Sequence, residues 1–372
     1  MRELEFQLPE GSLYYGRKGR AVEITRYNGL AGHVEIPAEL PWEPRDLEIS
    51  GGTSGGTPDQ TIEESGLLPV KSIAKKAFLS KKYLRSVTVP DTVEEVGDWA
   101  FAYCDALREV HFGGRDVRFG KAVFMECPSL QVIRFPERTQ SGAAGAAEDA
   151  AGKPEGVTGV EEGATEGLEG AAGARENVTA VREAPAKQPG TEGISALLAA
   201  AVTQMESQYL LDGREAGSGE WLEKWDARML TILRAADSEG YSRQILCGEE
   251  DYESTDLETY LSNSRKKKVR LLLLRLLYPA GLRTDHAGEL KGYLLTHTKG
   301  CEHEETWQVV RTECGDRREI YELFAKLGCL TKENAPAVIA EIGEEYPEMK
   351  AFFLRYQSEH FGADDFFGGL EL

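Results

Sequence analysis

The chain has 372 residues, with 63 acidic and 43 basic side chains and a formal net charge of −20 at pH 7. Hydrophobic residues make up 41% and charged residues 28%, as in globular proteins, and the length predicts two or three domains. No apolar run approaches the roughly 18 residues that cross a bilayer, which argues against a membrane protein. The acidic charge repels phosphate and anionic lipid, which disfavours nucleic acid and membrane surfaces as partners.

The N-terminus and the cysteine content together predict a cytoplasmic protein. Residues 1–10 read MRELEFQLPE, so acidic and polar groups stand where a signal peptide has its apolar core. Six cysteines in a chain of this length are too few for a disulfide scaffold, and their spacings suggest no pairing. We therefore expect reduced thiols.

A repeat with a period of 23 residues dominates the first part of the chain. The segments AFLSKKYLRSVTVP, AFAYCDALREVHFG and VFMECPSLQVIRFP, which begin at Ala77, Ala100 and Val123, align without a gap. Their shared apolar columns are Phe78, Phe101 and Phe124; Leu84, Leu107 and Leu130; Val87, Val110 and Ile133; and Val89, Phe112 and Phe135. A unit this short cannot bury its own apolar face, so the pattern predicts a solenoid of stacked repeats with caps at both ends.

Residues 13–40 are predicted to form the first cap. Their alternating apolar and polar residues indicate strands that are split at Asn28-Gly29. Val34, Ile36 and Pro37 also repeat the spacing of Val87, Val89 and Pro90, which end the strand of the first repeat.

The repeat columns resemble the BspA-like, or Treponema-type, leucine-rich repeat over about residues 13–137. The match is carried most fully by Ala100-Phe101, Cys104, Leu107 and Val110. The resemblance implies a β-rich repeat domain, and because many relatives are secreted surface proteins it also implies an adhesin as an alternative function. Residues 41–69 depart from the family pattern by inserting a loop that contains GGTSGGTP.

Residues 138–192 are predicted to be a disordered linker. Residues 141–190 contain 13 Ala, 10 Gly and no aromatic residue, so little apolar area is available to offset the entropy lost on ordering. Such a linker sets no geometry, and we expect the flanking domains, 1–137 and 193–372, to move semi-independently.

Residues 193–372 are predicted to be helical. Apolar residues recur at helical spacing in seven segments, and glycine and proline separate them at short intervals. The segments are ISALLAAAVTQMESQYLL, WLEKWDARMLTILRAA, VRLLLLRLLYPAGL, TWQVVRTECG, REIYELFAKLGCL, APAVIAEIGEEY and MKAFFLRYQSEHF. Short helices joined by short turns predict stacked hairpins. The expected fold class is α+β multidomain: a β-rich repeat solenoid, a linker and an all-α, solenoid-like domain.

The sequence offers little chemistry that indicates an enzyme. It lacks G-x-S-x-G, G-x4-G-K-[ST] and H-E-x-x-H motifs. His297, Cys301 and His303, with Cys314 and Cys329 further on, fit no common zinc spacing. We predict no catalytic residue, no metal, no cofactor and no small-molecule substrate, with an enzyme or metal protein as the least favoured alternative.

Two further features each have alternative interpretations. Cys104 and Cys127 share a repeat position and are either an inter-repeat disulfide or, as the family habit and the compartment favour, buried thiols. The basic run Arg265–Lys268 with Arg270 is either a phosphate or lipid contact or a solvated helix start. We favour the second interpretation, with the bases neutralised by the acids that precede them, which are Asp251, Glu253, Asp256 and Glu258.

The predicted binding site is the outward face of the repeat strands. Period-two alternation predicts that six side chains form an exposed ladder there: Ser86, Thr88, Glu109, His111, Val132 and Arg134. These residues vary between copies while the apolar columns do not. This is expected if the inward positions maintain the repeat fold and the outward positions determine what is bound. A ladder of three strands is small for a protein interface, and inert polar surface is the alternative interpretation.

The sequence therefore predicts a non-catalytic protein–protein interaction module, an intracellular adaptor or scaffold with two tethered surfaces. The alternative is a secreted or cell-surface adhesin. The last residues, DDFFGGLEL, are either a docking motif or a cover for the final helices.

Overall fold

The computed structural model describes residues 3–42, 66–138, 190–242, 256–315 and 317–362. Strands occupy the described part up to residue 138, and helices occupy the rest. Three predictions fall largely or wholly outside the described residues: the linker at 139–189, the inserted loop at 43–65 and the DDFFGGLEL segment at 364–372.

The described strands form two sheets. They are β1 Glu3–Leu8, β2 Gly11–Lys18, β3 Ala21–Gly29, β4 His33–Glu35, β5 Glu39–Trp42, β6 Gly66–Ile73, β7 Ser86–Val89, β8 Glu95–Val96, β9 Glu109–Phe112, β10 Arg118–Phe119 and β11 Val132–Arg134. The first sheet has the order β1-β2-β3-β6-β8-β10, with β5 antiparallel to β6, and the second has the order β11-β9-β7-β4. The first two repeats thus each contribute one short strand to each sheet, and within the described residues the third contributes β11 to the second sheet.

The predicted apolar columns are the core of the repeat region. Val87, Val110 and Ile133 are fully buried, as are Leu84 and Leu107. The phenylalanine column forms a stack of rings with centroids 4.9 Å and 5.6 Å apart, and Tyr27 of the cap extends it at 5.4 Å from Phe78. Because each ring stacks on the ring of the preceding turn, the aromatic residue must recur at the same position of each repeat, which requires a constant repeat length.

The turns of the repeats use a conformation that the sequence does not signal. Two residues per repeat have positive φ although none is glycine: Lys76 and Ser80, Trp99 and Tyr103, and Ala122 and Glu126. Each such residue costs about 1–2 kcal/mol relative to an ordinary conformation. The regular 23-residue spacing of these pairs shows that the stacked backbone hydrogen bonds impose them.

The second part of the chain is all-α, as predicted. The helices in the described residues are α1 Thr191–Thr203, α2 Gly219–Arg234, α3 Leu257–Leu277, α4 Thr284–Thr296, α5 Glu305–Glu313, α6 Arg318–Leu327, α7 Ala335–Ile342 and α8 Pro347–Phe361, with a 3-10 turn at Gln208–Leu210. The long helix α3 contacts α1, α2, α4, α5 and α6. This half is therefore arranged around one central helix, whereas in a stack of hairpins each helix contacts mainly its neighbours in sequence. No described helix is long and apolar enough to span a membrane.

The strands and the helices belong to one compact unit, Met1–Pro136 together with Lys187–Leu372. Helix α1 packs against β11, the last strand of the second sheet. Arg115 donates from Nη2 to the carbonyl of Ala216 at 3.1 Å, and a Cβ on Gly213 would lie 2.6 Å from the carbonyl oxygen of Arg115. The expectation that the two ordered parts move semi-independently is therefore wrong, because the helical half caps the repeats.

Candidate functional site: the ladder face

The second sheet presents an outward surface of eight residues in two rows, which we call the ladder face. The first row is His33, Ser86, Glu109 and Val132, and the second row is Glu35, Thr88, His111 and Arg134. Neighbours in each row are paired residues of adjacent parallel strands, about 4.8 Å apart. The four strands make the face about 14 Å wide.

Burial on the other side of the sheet fixes the direction of these side chains. Val34, Val87, Val110 and Ile133 lie between the two rows along each strand, and all are at most 3% exposed. Because successive side chains of a strand point to opposite faces, the flanking residues must point outward. All eight ladder residues are exposed or half-buried.

The structure brings together the six residues that the sequence singled out, in the predicted rows. Sequence reasoning missed His33 and Glu35, which β4 of the cap adds as a fourth rung. The sequence does indicate this fourth strand, since Val34 and Ile36 repeat the spacing of the inward residues Val87 and Val89. The same alternation places His33 and Glu35 on the outward side. The face is therefore one strand wider than predicted.

Two side-chain contacts organise the ladder face. His33 Nδ1 lies 2.7 Å from Ser86 Oγ, and His111 Nε2 lies 3.0 Å from Glu109 Oε2. Arg134 and Glu35 have no side-chain partner within the described residues, and they stand at opposite ends of the second row. The row therefore runs from a carboxylate at the cap to a guanidinium beside the helical half.

A third row, which we call the arginine row, lies immediately before the strands. It contains Gly32, Arg85, Arg108 and Gln131, whose backbones are joined in sequence by hydrogen bonds of 2.7–2.9 Å. Arg85 and Arg108 are exposed. Neither guanidinium has an ion-pair partner among the residues that the structure describes. The ladder face and this row offer hydrogen-bonding and charged groups to a ligand.

The two repeat cysteines are structural. Cys104 Sγ donates to the carbonyl of Phe78 and Cys127 Sγ to that of Phe101, both at 3.1 Å, so each thiol joins one turn to the turn before it. The thiols are free. Hydrogen bonding to Cys104 and burial raise the pKa of Cys127. Lys81, at the same position of the first repeat, instead places its ammonium 5.8 Å from the Tyr27 ring centroid.

The histidine and cysteine cluster does not form a metal site in the described residues. The rings of His297 and His303 stack with centroids 6.1 Å apart, and the Cys301 thiol donates to the carbonyl of Leu295. No three His, Cys, Asp or Glu side chains in the described part of the chain are placed to hold a metal ion.

The basic run lies in the middle of α3 and not at a helix start, which corrects the predicted position. Arg265 and Lys268 are buried and bind Asp237, and Arg265 also donates to Glu305 at 2.9 Å. Burial lowers the pKa of Arg265, and the bonds to Glu305 and Asp237 outweigh it and raise the pKa overall. Arg270 pairs with Glu313 and Lys267 with Glu206.

The acids predicted to neutralise this run play other roles. Asp256 caps α3 by accepting from the Thr259 amide at 2.9 Å, and Glu258 approaches Arg265 only at 3.9 Å. Asp251 and Glu253 lie outside the described residues. The run is therefore mainly internal structure, because its buried members are held by acids distant in the chain.

Comparison with known proteins places the repeats in a family. Residues 62–147 match the family model described as BspA type Leucine rich repeat region (6 copies). None of the curated proteins matches the chain significantly. The helical half has no assigned family.

Similar solved structures are bacterial leucine-rich repeat proteins. A leucine rich cell surface protein from Faecalibacterium prausnitzii is 24% identical, with 36% of this chain and 30% of that chain covered and a TM-score of 0.25. A leucine-rich repeat protein from Bacteroides capillosus is 19% identical, with 36% and 99% covered and a TM-score of 0.23. The leucine rich repeat protein of T. pallidum is 25% identical, with 32% and 55% covered and a TM-score of 0.21.

This chain thus spans less than a third of the length of the first of these structures. The columns, the paired strands and the family match agree on the same segment. Residues 62–147 are a BspA-type leucine-rich repeat region.

Proposed function

We propose that the protein is a non-catalytic protein–protein interaction module and that the ladder face is its binding surface. The observation that carries the proposal is the contrast between the two sides of one sheet. Val34, Val87, Val110 and Ile133 are alike and buried, whereas neither row of the ladder face repeats a residue type. A frame that holds four different side chains in each row is suited to recognition.

The finer proposal is an intracellular adaptor or scaffold. The predicted cytoplasmic location rests on the low cysteine content of the sequence, which is too small for a disulfide scaffold. The helical half offers a second surface, where a cavity of about 1440 Å³ opens beside α2 and α3. Since the two halves pack together, both surfaces belong to one unit.

The proposal is tested by affinity purification with the full chain as bait in a lysate of the cells that produce it. The binding variant replaces Glu109, His111 and Arg134 with alanine. The control replaces Glu345, Lys332 and Arg355, which are exposed residues of the helical half, also with alanine. We expect a defined partner to be retained by the control and lost from the binding variant. Equal recovery from both variants contradicts the role of the ladder face.

A further inference from the structure

We propose that the partner presents an extended acidic segment, with two carboxylates bound by Arg85 and Arg108 and one large apolar side chain resting on Leu30 and Tyr83. This inference rests on the proposed function and specifies the chemistry of what the ladder face binds. It draws on four observations: the like charges of the arginine row, the exposed apolar pair beside it, the size of the face and its charge distribution.

The arginine row places two like charges side by side. The Arg108 amide donates to the carbonyl of Arg85 at 2.8 Å. The two residues therefore lie on adjacent turns of the repeat, at the usual spacing between strands of about 4.8 Å. Like charges directly opposite one another in a sheet are destabilising. Within the described residues no carboxylate relieves this repulsion. Carboxylates supplied by a partner convert it into attraction, and guanidinium groups suit carboxylates because they bind them through two hydrogen bonds.

Arginines and lysines on the strands of the first sheet show that ion pairing is common in this molecule. Arg26 pairs with Glu3, Lys71 with Glu94, and Lys18 with Glu23. The arginine row departs from this arrangement in a protein with 20 more acidic than basic side chains. Its two guanidinium groups, which lack an ion-pair partner in the described part of the chain, are therefore a local cationic feature in an anionic molecule.

An exposed apolar pair adjoins the arginine row. Leu30 is 74% exposed and Tyr83 is 65% exposed. They occupy corresponding positions of neighbouring turns, because Ala31 and Leu84 follow them and are both buried, and the Arg85 amide then donates to the Gly32 carbonyl at 2.7 Å. Tyrosine and arginine, together with tryptophan, are the residue types enriched among the side chains that dominate protein–protein binding.

The dimensions of the face favour a segment over a folded surface. Four strands span about 14 Å, which an extended chain crosses in about four residues. A stable interface between folded proteins buries about 800 Å² on each partner, more than this face provides. A short extended segment fits the available width.

The charge distribution favours protein carboxylates over a nucleic-acid backbone. Glu35 and Glu109 stand on the ladder face itself. These acids repel a continuous run of phosphates, whereas a peptide places its carboxylates singly. Glu35 at the cap end also favours a basic group of the partner at that end, which gives the segment a direction.

The test uses the full-length protein as bait against a phage library of random twelve-residue peptides. Enriched peptides are then synthesised with a fluorescent label, and their binding is measured by anisotropy. The charge variant carries Arg85→Glu and Arg108→Glu. The control carries Arg20→Glu and Arg355→Glu, which makes the same change in net charge at exposed positions off the face. Thr88→Arg fills the middle of the ladder without reversing either arginine.

We expect enriched peptides to contain at least two acidic residues and one large apolar residue. Their affinity should fall about tenfold or more in the charge variant, the amount expected for the loss of two charge contacts at a partly exposed site. It should be unchanged in the control variant. Glutamine in place of the acidic residues of the peptide should give a similar loss.

Other outcomes separate this inference from the proposed function. Peptides without acidic residues that bind the charge variant normally but not Thr88→Arg overturn the acidic segment and keep the face as a binding site. Peptides unaffected by either variant, or the absence of any enriched peptide, overturn both. Displacement of the peptide by single-stranded DNA of equal charge identifies a general anion surface and also contradicts the acidic segment.

Discussion

Arg275 of α3 binds Asp226 of α2 through both oxygens of the carboxylate, with Nε at 2.6 Å and Nη2 at 3.0 Å, and the two side chains are 0% and 6% exposed. The same guanidinium donates to the carbonyls of Tyr278 and Ala280, which follow the end of α3. One buried side chain thus fixes both the approach of α2 to α3 and the turn that leaves α3.

Replacing Arg275 with methionine should destabilise the protein strongly. The substitution leaves the Asp226 carboxylate buried without its partner, and breaking a buried pair in this way costs about 3–5 kcal/mol. Urea unfolding followed by circular dichroism measures the loss. The matched control is Arg234→Met, which breaks the exposed pair with Glu289 and should cost less than about 1 kcal/mol. Equal losses from the two substitutions contradict the structural role of Arg275.

The contact between the halves should be sensitive to the size of residue 213. A Cβ on Gly213 would lie 2.6 Å from the Arg115 carbonyl oxygen and 2.8 Å from the Phe135 ring, so Gly213→Val should lower stability by about 1–3 kcal/mol through overpacking. Gly219→Ala is the control, because nothing lies within 4 Å of its new Cβ. Thermal unfolding should show one transition that shifts down only for Gly213→Val. Two separate transitions would indicate that the halves unfold independently.

The buried thiols should resist alkylation in the native state. Burial raises the pKa of Cys314 to about 11 and that of Cys329 to about 12, and the thiolate is the reactive form. Labelling with iodoacetamide at pH 8, followed by mass spectrometry, should therefore leave Cys314 and Cys329 unmodified and modify them after unfolding in urea. Partly exposed Cys301 is the internal control. If Cys329 is labelled in the native state as fast as Cys301, the burial of Cys329 just after the end of α6 is contradicted.

The same thiols make stability depend on pH in the alkaline range. Their native pKa values lie above the ordinary value of 9.0, so the native state holds its protons where the unfolded state releases them. This contribution is fully present below pH 9 and is lost as pH rises through about 11 for Cys314 and about 12 for Cys329. Urea midpoints measured from pH 8 to 11 should fall with pH, and Cys329→Ala should reduce the slope. An unchanged slope in that variant contradicts the assignment.

The adaptor and adhesin functions predict different locations. Protease treatment of intact producing cells, followed by immunoblotting, should leave an intracellular adaptor intact and degrade a surface protein. A cytoplasmic marker and a known surface protein serve as controls. Degradation in intact cells contradicts the adaptor and favours the adhesin.

Much of the repeat region could be predicted because the 23-residue period and the alternation within each strand determine which side chains are buried and which are exposed. Burial of Phe78, Phe101 and Phe124 and the outward direction of Thr88 and His111 follow from spacing alone. The positive φ of residues such as Trp99 and Glu126 could not be predicted, because no glycine or asparagine marks those turns and the stacked hydrogen bonds impose them.

Tertiary contacts explain the remaining differences. Helix α4 was missed because only Leu290 and Leu294 of its residues are buried, so its apolar pattern is short. The partners of Arg265 and Lys268 were missed because Asp237 and Glu305 are about 30–40 residues away in the chain. The packing of α1 on β11 joins residues on either side of the predicted linker, a contact that composition cannot show.

Site-specific photo-crosslinking at the centre of the ladder face tests the central claim most directly. A photoreactive amino acid is placed at Thr88 in the full-length protein within producing cells, and at exposed Arg355 as the control. Irradiation should produce one discrete protein adduct from position 88 and none from position 355, because the partner covers only the ladder face. Adducts from position 355 alone, or none from position 88, would contradict the ladder face as the binding surface.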